Sequence, residues 1–139
     1  MKPELKIFKI GGSVIDCEPH LLTFLRLFSE LSGPKILVHG GGKGASEMMG
    51  RLGIVPQMVN GRRITDALAL DLVTMYYAGK TNKQIVAGLQ SFGVNALGIS
   101  GADGNVIRAE KRPVREVDYG FVGDLSEESV NATDRKSVV

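Results

Sequence analysis

The length, composition and charge of the chain indicate one ordinary globular domain. It has 139 residues, of which 43% are apolar and 23% are charged, and a chain of this size buries roughly two thirds of its unfolded surface in a single core. Seventeen basic and fifteen acidic residues are mixed along the chain and leave a formal charge of +2, which excludes an electrostatic footprint for nucleic acid. Cys17 is the single cysteine, and no long apolar span indicates a membrane segment. We expect a cytoplasmic protein with neither a nucleic-acid nor a membrane partner.

The first third of the chain alternates apolar strands with a helical pattern, and each strand runs into glycines. The predicted elements are a strand at residues 5–10, a helix at 18–31 and a strand at 35–39. Gly11 and Gly12 follow the first strand, and three glycines, residues 40–42, follow the second. The pattern is therefore strand, glycines, helix, strand, glycines.

The remainder of the chain continues this alternation. The predicted elements are a helix near residues 44–52, a hairpin or irregular segment at 56–64, a helix capped by Thr65 and ended by Gly79, a helix opened by a capping box at Thr81 and Gln84, a buried strand at 95–100, and a hairpin at 106–122. Alternating strands and helices imply right-handed crossovers and a mainly parallel sheet with helices on both faces. The predicted fold class is α/β, a three-layer α/β/α sandwich.

Two glycine clusters are the candidate ligand loops, because ligands of open α/β sheets gather at the carboxyl ends of the strands. In the first, Gly11 and Gly12 would let backbone N–H groups approach a phosphate, and Lys9 would supply a positive charge. A tight turn with an incidental lysine explains this cluster equally well. The second cluster, residues 39–44, holds three consecutive glycines, which cost up to about 1 kcal/mol each to order relative to alanine. A close backbone contact with a ligand is the better interpretation there.

Other nucleotide-binding and metal-binding motifs fit poorly. The second cluster matches the loose dinucleotide fingerprint Gly40-x-Gly42-x-x-Ala45, so a Rossmann domain is the alternative fold. That motif needs an acidic residue about 20 positions further on, and residues 57–63 contain none. The Gly-x4-Gly-Lys-Ser/Thr phosphate loop is absent. His39 is interpreted as a structural histidine, since His20 is the only other one, and we expect no metal site.

A third motif, Asn60-Gly61-Arg62-Arg63-Ile64-Thr65-Asp66, places paired guanidinium groups after a turn and before a helix. An arginine in that position can bind a carboxylate through two hydrogen bonds. Solvated arginines on a surface hairpin are the alternative, and they would be favoured if this motif stood alone.

Taken in order, the motifs resemble those of the acetylglutamate kinases of the amino-acid kinase family. They are Lys-x-Gly-Gly, His-Gly-Gly-Gly, Asn-Gly-x-Arg-x-Thr-Asp, Asn-Lys, Ser-Gly-x-Asp-Gly and Gly-Phe-Val-Gly. The chain is similar to the N-terminal half of that family, from near Lys6 to about Asn131.

The resemblance implies both a reaction and a set of site residues. It implies transfer of the γ-phosphoryl group of ATP, with Mg²⁺, to the side-chain carboxylate of N-acetyl-L-glutamate, a step of arginine synthesis, by an enzyme that is a homo-oligomer when full length. By position, Lys9 matches the lysine that stabilises the transition state. Gly11 and Gly12 match the phosphate loop. The substrate-binding residues implied are Gly41, Gly42 and Arg63, the last of which binds the α-carboxylate.

The resemblance also implies that the chain is incomplete, because the family keeps its nucleotide-binding lobe in a second half. We expect residues 1–133 to be the N-terminal substrate-binding lobe and residues 134–139 to be a non-native tail. The lobe alone should be inactive. The alternatives are N-succinylglutamate or another amino-acid kinase substrate, and a non-catalytic ligand-binding or oligomerisation fragment.

Overall fold

The computed structural model describes residues 4–130 of the chain, so the expectation about residues 134–139 lies outside the described residues. The strands are β1 (Lys6–Ile10), β2 (Lys35–His39), β3 (Met58–Val59), β4 (Arg62–Arg63), β5 (Glu110–Lys111) and β6 (Gly123–Asp124). The helices are α1 (Gly12–Ile15), α2 (Glu18–Glu30), α3 (Gly42–Arg51), α4 (Ala67–Thr74), a π-helix (Met75–Thr81) and α5 (Asn82–Ser91), with two 3-10 turns at Asp103–Asn105 and Glu127–Ser129.

A parallel pair of strands, β1 and β2, organises the fold. They pair in register from Lys6 opposite Lys35 to Ile10 opposite His39. Helix α2 makes the connection between them, as the strand–helix–strand pattern of the sequence predicts. The α/β class and the first three predicted elements are therefore confirmed.

The main core lies between one face of this sheet and helices α2 and α5. Helix α2 buries Leu21, Leu25 and Phe28 at helical spacing, and Phe8 of β1 meets Phe28 edge-to-face with ring centroids 5.5 Å apart. The buried members of the core are Ile10, Ile15, Leu21, Leu25, Phe28, Ile85 and Leu89. A smaller cluster of Met49, Ala69 and Leu72 joins α3 to α4.

The opposite face of the sheet is uncovered within residues 4–130. Ile7, Ile36 and Val38 point to that side and remain 64%, 46% and 46% exposed. Side chains of successive strand residues alternate between the two faces of the sheet. Phe8 and Leu37, which alternate with these exposed residues, therefore face the core. The second helical layer expected for the sandwich is not among the described residues.

The prediction that Gly79 ends a helix is wrong, because α4, the π-helix and α5 run on without a break from Ala67 to Ser91. Gly79 lies inside the π-helix and does not adopt the left-handed conformation that ends helices. The capping box at Thr81 is also wrong. Thr81 has helical dihedrals and is 1% exposed, so its side chain packs in the interior.

The residue that caps α4 is Asp66 and not the predicted Thr65. The Asp66 carboxylate accepts a hydrogen bond from the Ala69 N–H at 2.8 Å, which satisfies one of the free amides of the first turn. Thr65 is buried one residue earlier. Its backbone N–H donates to the carbonyl of Tyr119, and its carbonyl accepts from the N–H of Phe121, so a distant segment uses the residue that local propensity assigned to the cap.

The predicted buried strand at residues 95–100 does not form a ladder within the described part of the chain. Its side chains alternate in exposure as in a strand, yet Leu97 is 86% exposed. Helix α5 explains the difference, because side chains from this helix bind the carbonyls that a ladder would use. Those hydrogen bonds run from Gln90 to Ala96, from Lys83 to Gly98 and from Asn82 to Ile99.

The first predicted hairpin forms but is short, and the second is wrong in its bounds because its closing strand lies beyond residue 122. Strands β3 and β4 pair across Asn60 and Gly61, which have φ of 50° and 74°, the left-handed turn that such a dipeptide favours. Strands β5 and β6 pair only at Glu110–Lys111 and Gly123–Asp124, so the region predicted at 106–122 is largely a loop.

The cap assignment gives a direct test. Replacement of Asp66 by Ala should lower the free energy of unfolding by about 1 kcal/mol, because the amide of Ala69 loses its partner. Asp66→Asn keeps the acceptor oxygen and should lower the free energy of unfolding by only a few tenths of a kcal/mol. Urea unfolding followed by circular dichroism measures both, and equal stability of the two variants would contradict the cap.

Candidate functional site

The parallel pairing of β1 and β2 places the two glycine clusters side by side. Ile10 and His39 are paired residues at the ends of the strands, and neighbouring strands lie about 4.8 Å apart. The loops that begin at Gly11 and Gly40 therefore leave the sheet at the same edge, where ligands of α/β proteins bind.

The first cluster offers an open backbone. Gly11 precedes the short helix α1, and a methyl group placed on its Cα would meet no atom within 4 Å. Lys9 is exposed on the uncovered face of the sheet, and within residues 4–130 its ammonium group has no hydrogen-bond or ion-pair partner. Gly12 is half-buried beside the carboxylate of Asp16. The structure thus places Lys9, Gly11 and Gly12 together at the end of β1.

The second cluster forms the N-terminus of helix α3. Gly41 is buried with φ = 151°, a conformation that favours glycine. It precedes Gly42, the first residue of the helix, and no side chain caps this end. The backbone N–H groups at the start of α3 are therefore open to an anion, and the helix dipole favours negative charge there.

Arg63 reaches this same helix end from the β3–β4 hairpin. Its Nη2 donates hydrogen bonds to the Gly42 carbonyl at 3.1 Å and to the Ser46 hydroxyl at 2.5 Å. Its Nε is buried and has no hydrogen-bond partner in the described part of the chain, although a buried N–H normally has one. Three of the predicted site residues, Gly41, Gly42 and Arg63, therefore lie together, with one unsatisfied donor among them.

A cavity of about 360 Å³ adjoins Arg63. Its wall combines guanidinium groups with apolar and aromatic side chains: Arg62, Arg63, Thr65, Val73, Tyr77, Arg112, Tyr119 and Val122. An apolar cavity with few polar groups at one end is typical of a site for a small molecule.

Two motifs that lie far apart in the sequence build this cavity jointly. Gly120 has φ = 73° and bridges to Thr65, and a methyl group on its Cα would overlap the Thr65 carbonyl. Only glycine allows this approach without strain. The Gly-Phe-Val-Gly segment thereby packs against the arginine hairpin and supplies Val122 to the cavity wall.

Asn82, Tyr76 and Tyr77 are residues that sequence reasoning did not assign to the site. Asn82 is 7% exposed, and its amide approaches His39 Nε2 at 3.4 Å. This contact agrees with a structural role for His39. The two tyrosines pack against the second glycine loop, and no local motif marks them. Asn82 belongs to the Asn-Lys pair noted in the sequence. That pair alone does not predict that Asn82 contacts His39.

Two aspartates hold loops of the chain in place through hydrogen bonds to their carboxylates. Hydrogen bonds from the Ser100 backbone N–H and hydroxyl lower the pKa of Asp103 below its ordinary value, so Ser-Gly-x-Asp-Gly forms a self-contained turn. The guanidinium of Arg112 binds Asp124 and lowers the pKa of that carboxyl. This pair closes the β5–β6 hairpin beside the cavity.

The described residues contain neither a metal cluster nor a membrane span. Between residues 4 and 130, no three His, Cys, Asp or Glu side chains converge so as to hold a metal ion. In the same range, no helix has the length and apolar character needed to cross a bilayer.

The fold and the two adjoining loops define a parallel α/β protein in which an arginine meets the uncapped N-terminus of a helix. The chain belongs to the amino acid kinase family, whose sequence model matches residues 4–133.

Its sequence is similar to acetylglutamate kinases over nearly its whole length. It is 57% identical over 133 residues to acetylglutamate kinase of Bacteroides thetaiotaomicron, which covers 96% of this chain and 51% of that protein. It is 54% identical over 123 residues to acetylglutamate kinase of Cytophaga hutchinsonii, with 88% and 47% covered. The chain spans about half the length of the curated relatives it matches.

Solved structures support the fold. The crystal structure of smu.665 from Streptococcus mutans UA159 superposes with a TM-score of 0.72 at 23% identity and covers 91% of this chain and 51% of that one. N-acetylglutamate synthase from Neisseria gonorrhoeae, complexed with coenzyme A and L-arginine, superposes with a TM-score of 0.58 at 20% identity, with 88% and 30% covered. The expected amino-acid kinase-like fold is therefore confirmed.

The tight contact at Gly44 can be tested with two alanine substitutions in one helix. A methyl group on Gly44 would overlap the Tyr76 hydroxyl, whereas Gly50 has no atom within 4 Å. Gly44→Ala should therefore lower the free energy of unfolding by about 1–3 kcal/mol through overpacking, and Gly50→Ala should raise it by about 0.5–1 kcal/mol through helix propensity. Chemical unfolding measures both, and stabilisation by both substitutions would contradict the contact.

Proposed function

We propose that this chain is the substrate-binding half of an ATP-dependent kinase that phosphorylates the side-chain carboxylate of N-acetyl-L-glutamate, in arginine biosynthesis. The observation that carries the proposal is the meeting of Arg63 with the open N-terminus of α3 beside an apolar cavity. The similarity to acetylglutamate kinases over 96% of the chain supports the choice of substrate.

In this proposal, the α-carboxylate of the substrate pairs with Arg63. Arg63 lines the cavity, and charge-assisted hydrogen bonds to carboxylates are the strong ones. Gly41 and Gly42 bring no side chain of their own over the amides at the start of α3, and the side chain of Tyr77 lies where theirs would be. The apolar cavity wall receives the aliphatic part of the acyl-amino acid.

Phosphoryl transfer would take place over the first loop. An oxygen of the γ-carboxylate attacks the γ-phosphorus of ATP, the bond to the β,γ-bridging oxygen breaks, and ADP and an acyl phosphate result. Lys9 would neutralise the charge on the transferring group, and the amides of Gly11 and Gly12 would contact its oxygens. Mg²⁺ would arrive with ATP, since residues 4–130 offer no cluster of ligands of their own.

The rest of the nucleotide site would come from the half of the relatives that this chain does not match. Adenine, ribose and the metal–phosphate group need partners opposite Lys9, and about half the length of the relatives lies beyond the matched part. We propose that the full-length enzyme is a cytoplasmic homo-oligomer, as the family resemblance implies.

Two alternatives remain distinct from this proposal. N-succinylglutamate or another amino-acid kinase substrate would use the same arginine with a different acyl pocket, because the pocket shape selects the acyl group. A non-catalytic binding or oligomerisation fragment would retain N-acetylglutamate and transfer no phosphate.

The carboxylate pairing predicts a large effect at one of two neighbouring arginines. Arg63→Ala should weaken the binding of N-acetylglutamate by about 10- to 100-fold, because a hydrogen bond to a charged group contributes about 1.5–3 kcal/mol. Arg62→Ala removes the other guanidinium that this hairpin contributes to the same cavity wall and should weaken binding less, because only Arg63 also contacts the N-terminus of α3. Isothermal titration calorimetry measures both, and the reverse order would place the carboxylate on Arg62.

The division of the active site predicts that the isolated chain has no useful kinase activity. Oriented binding supplies about 7–11 kcal/mol toward a reaction barrier, and this chain alone orients ATP from one side. A chimera of residues 1–133 with the C-terminal half of the Bacteroides thetaiotaomicron relative should be active in an ATP-dependent hydroxamate assay. Equal turnover by the isolated chain would place the nucleotide site within it.

In the same chimera, Lys9→Ala should lower kcat by about 10²- to 10³-fold and leave the KM values nearly unchanged, because Lys9 acts on charge that develops during transfer. A change confined to KM would assign Lys9 to ground-state binding.

A further inference from the structure

The helical segment behind the second glycine loop contains a wide turn. Helix α4 passes into the π-helix Met75–Thr81 before α5 begins, and π turns within helices occur frequently at functional sites. Two consecutive tyrosines, Tyr76 and Tyr77, lie in this turn. Both are half-buried, and their rings meet edge-to-face with centroids 6.3 Å apart.

Both tyrosines press on the loop that begins α3. A methyl group on Gly41 would lie 3.3 Å from two ring carbons of Tyr77, and one on Gly42 would lie 3.7 Å from the Tyr77 hydroxyl. One on Gly44 would overlap the hydroxyl of Tyr76. The two aromatic side chains therefore fill the space that side chains at residues 41, 42 and 44 would need, which limits where the loop can move.

Tyr77 also lines the cavity that contains Arg63. Its side chain lies beside Gly41 and Gly42, where their side chains would be, and it also forms part of the cavity wall together with Val73 and Val122. Tyr76 differs, because it does not line that cavity and instead lies under the ammonium group of Lys80 at 5.0 Å.

We propose that Tyr77 is a positioning residue for substrate binding, a role that rests on the proposed function for the identity of the ligand. Its ring fixes the Gly41–Gly42 backbone so that the amides at the start of α3 face the carboxylate bound by Arg63. The same ring forms the apolar wall against which the aliphatic part of an acyl-amino acid lies. The π turn is the element that presents Tyr77 to both surfaces.

The first measurement needs no ligand. Backbone ¹⁵N relaxation of the 139-residue chain should give order parameters near about 0.85 for residues 41–44, the value of rigid backbone, and below about 0.6 in Tyr77→Ala. Tyr77→Phe keeps the ring and should match the parent chain. Met75→Ala is the matched control, because Met75 lies in the same π turn and is 60% exposed. Unchanged order parameters in Tyr77→Ala would overturn the proposal.

The second measurement is calorimetric titration with N-acetyl-L-glutamate. Tyr77→Ala should weaken binding at least about tenfold, whereas Tyr77→Phe and Met75→Ala should stay within about threefold of the parent. In the chimera, Tyr77→Ala should raise the KM for N-acetylglutamate and leave the KM for ATP unchanged, which a general loss of folding does not do.

The proposed substrate and the proposed role of Tyr77 are contradicted by different results. A parent chain that gives no binding heat contradicts the proposed substrate, and the order parameters then still decide whether Tyr77 positions the loop. A parent chain that binds, with equal affinity in Tyr77→Ala, overturns the role of Tyr77 and leaves the proposed function intact.

Discussion

The parallel pairing of β1 with β2 is the constraint on which the rest of the structure depends. Because the two strands point the same way and end in register at Ile10 and His39, their glycine loops must leave the sheet together. An antiparallel arrangement would have placed these loops at opposite ends. The helix α2 that the parallel connection requires also supplies three of the seven buried residues of the main core, so stability and site geometry share one origin.

The second loop becomes a site only through contacts made from elsewhere in the chain. Its amides are left open because Gly41 offers no side-chain cap. Arg63 approaches from one hairpin, and Tyr77 supports the loop from the π turn. Gly120 lets a fourth segment close on Thr65. Each contact uses either a small residue that permits close approach or a side chain that fills the resulting space.

Within residues 4–130, only one face of the sheet is packed. One face of the sheet is packed by α2 and α5, whereas Ile7, Ile36 and Val38 leave the other face apolar and exposed. Apolar surface of this kind is typical of a face that packs against another element. Lys9 lies on that face, so its proposed partners in phosphoryl transfer would be on the uncovered side.

Sequence alone determined the elements whose signals are local. Glycines after strands, the helical spacing of Leu21, Leu25 and Phe28, and the Asn60–Gly61 turn act over a few residues, and each was predicted correctly. Only the tertiary structure decided the continuation of the helix through Gly79, the use of Asp66 as the cap and the failure of residues 95–100 to form a ladder. At Thr65 and at residues 95–100, groups from elsewhere in the chain bind backbone atoms that local propensity assigned to a cap or a ladder. The same distinction holds for the site. The sequence predicted the glycines and Arg63 as site residues, but the positions of Arg63 and Tyr77 beside one loop arise from packing between segments far apart in the chain.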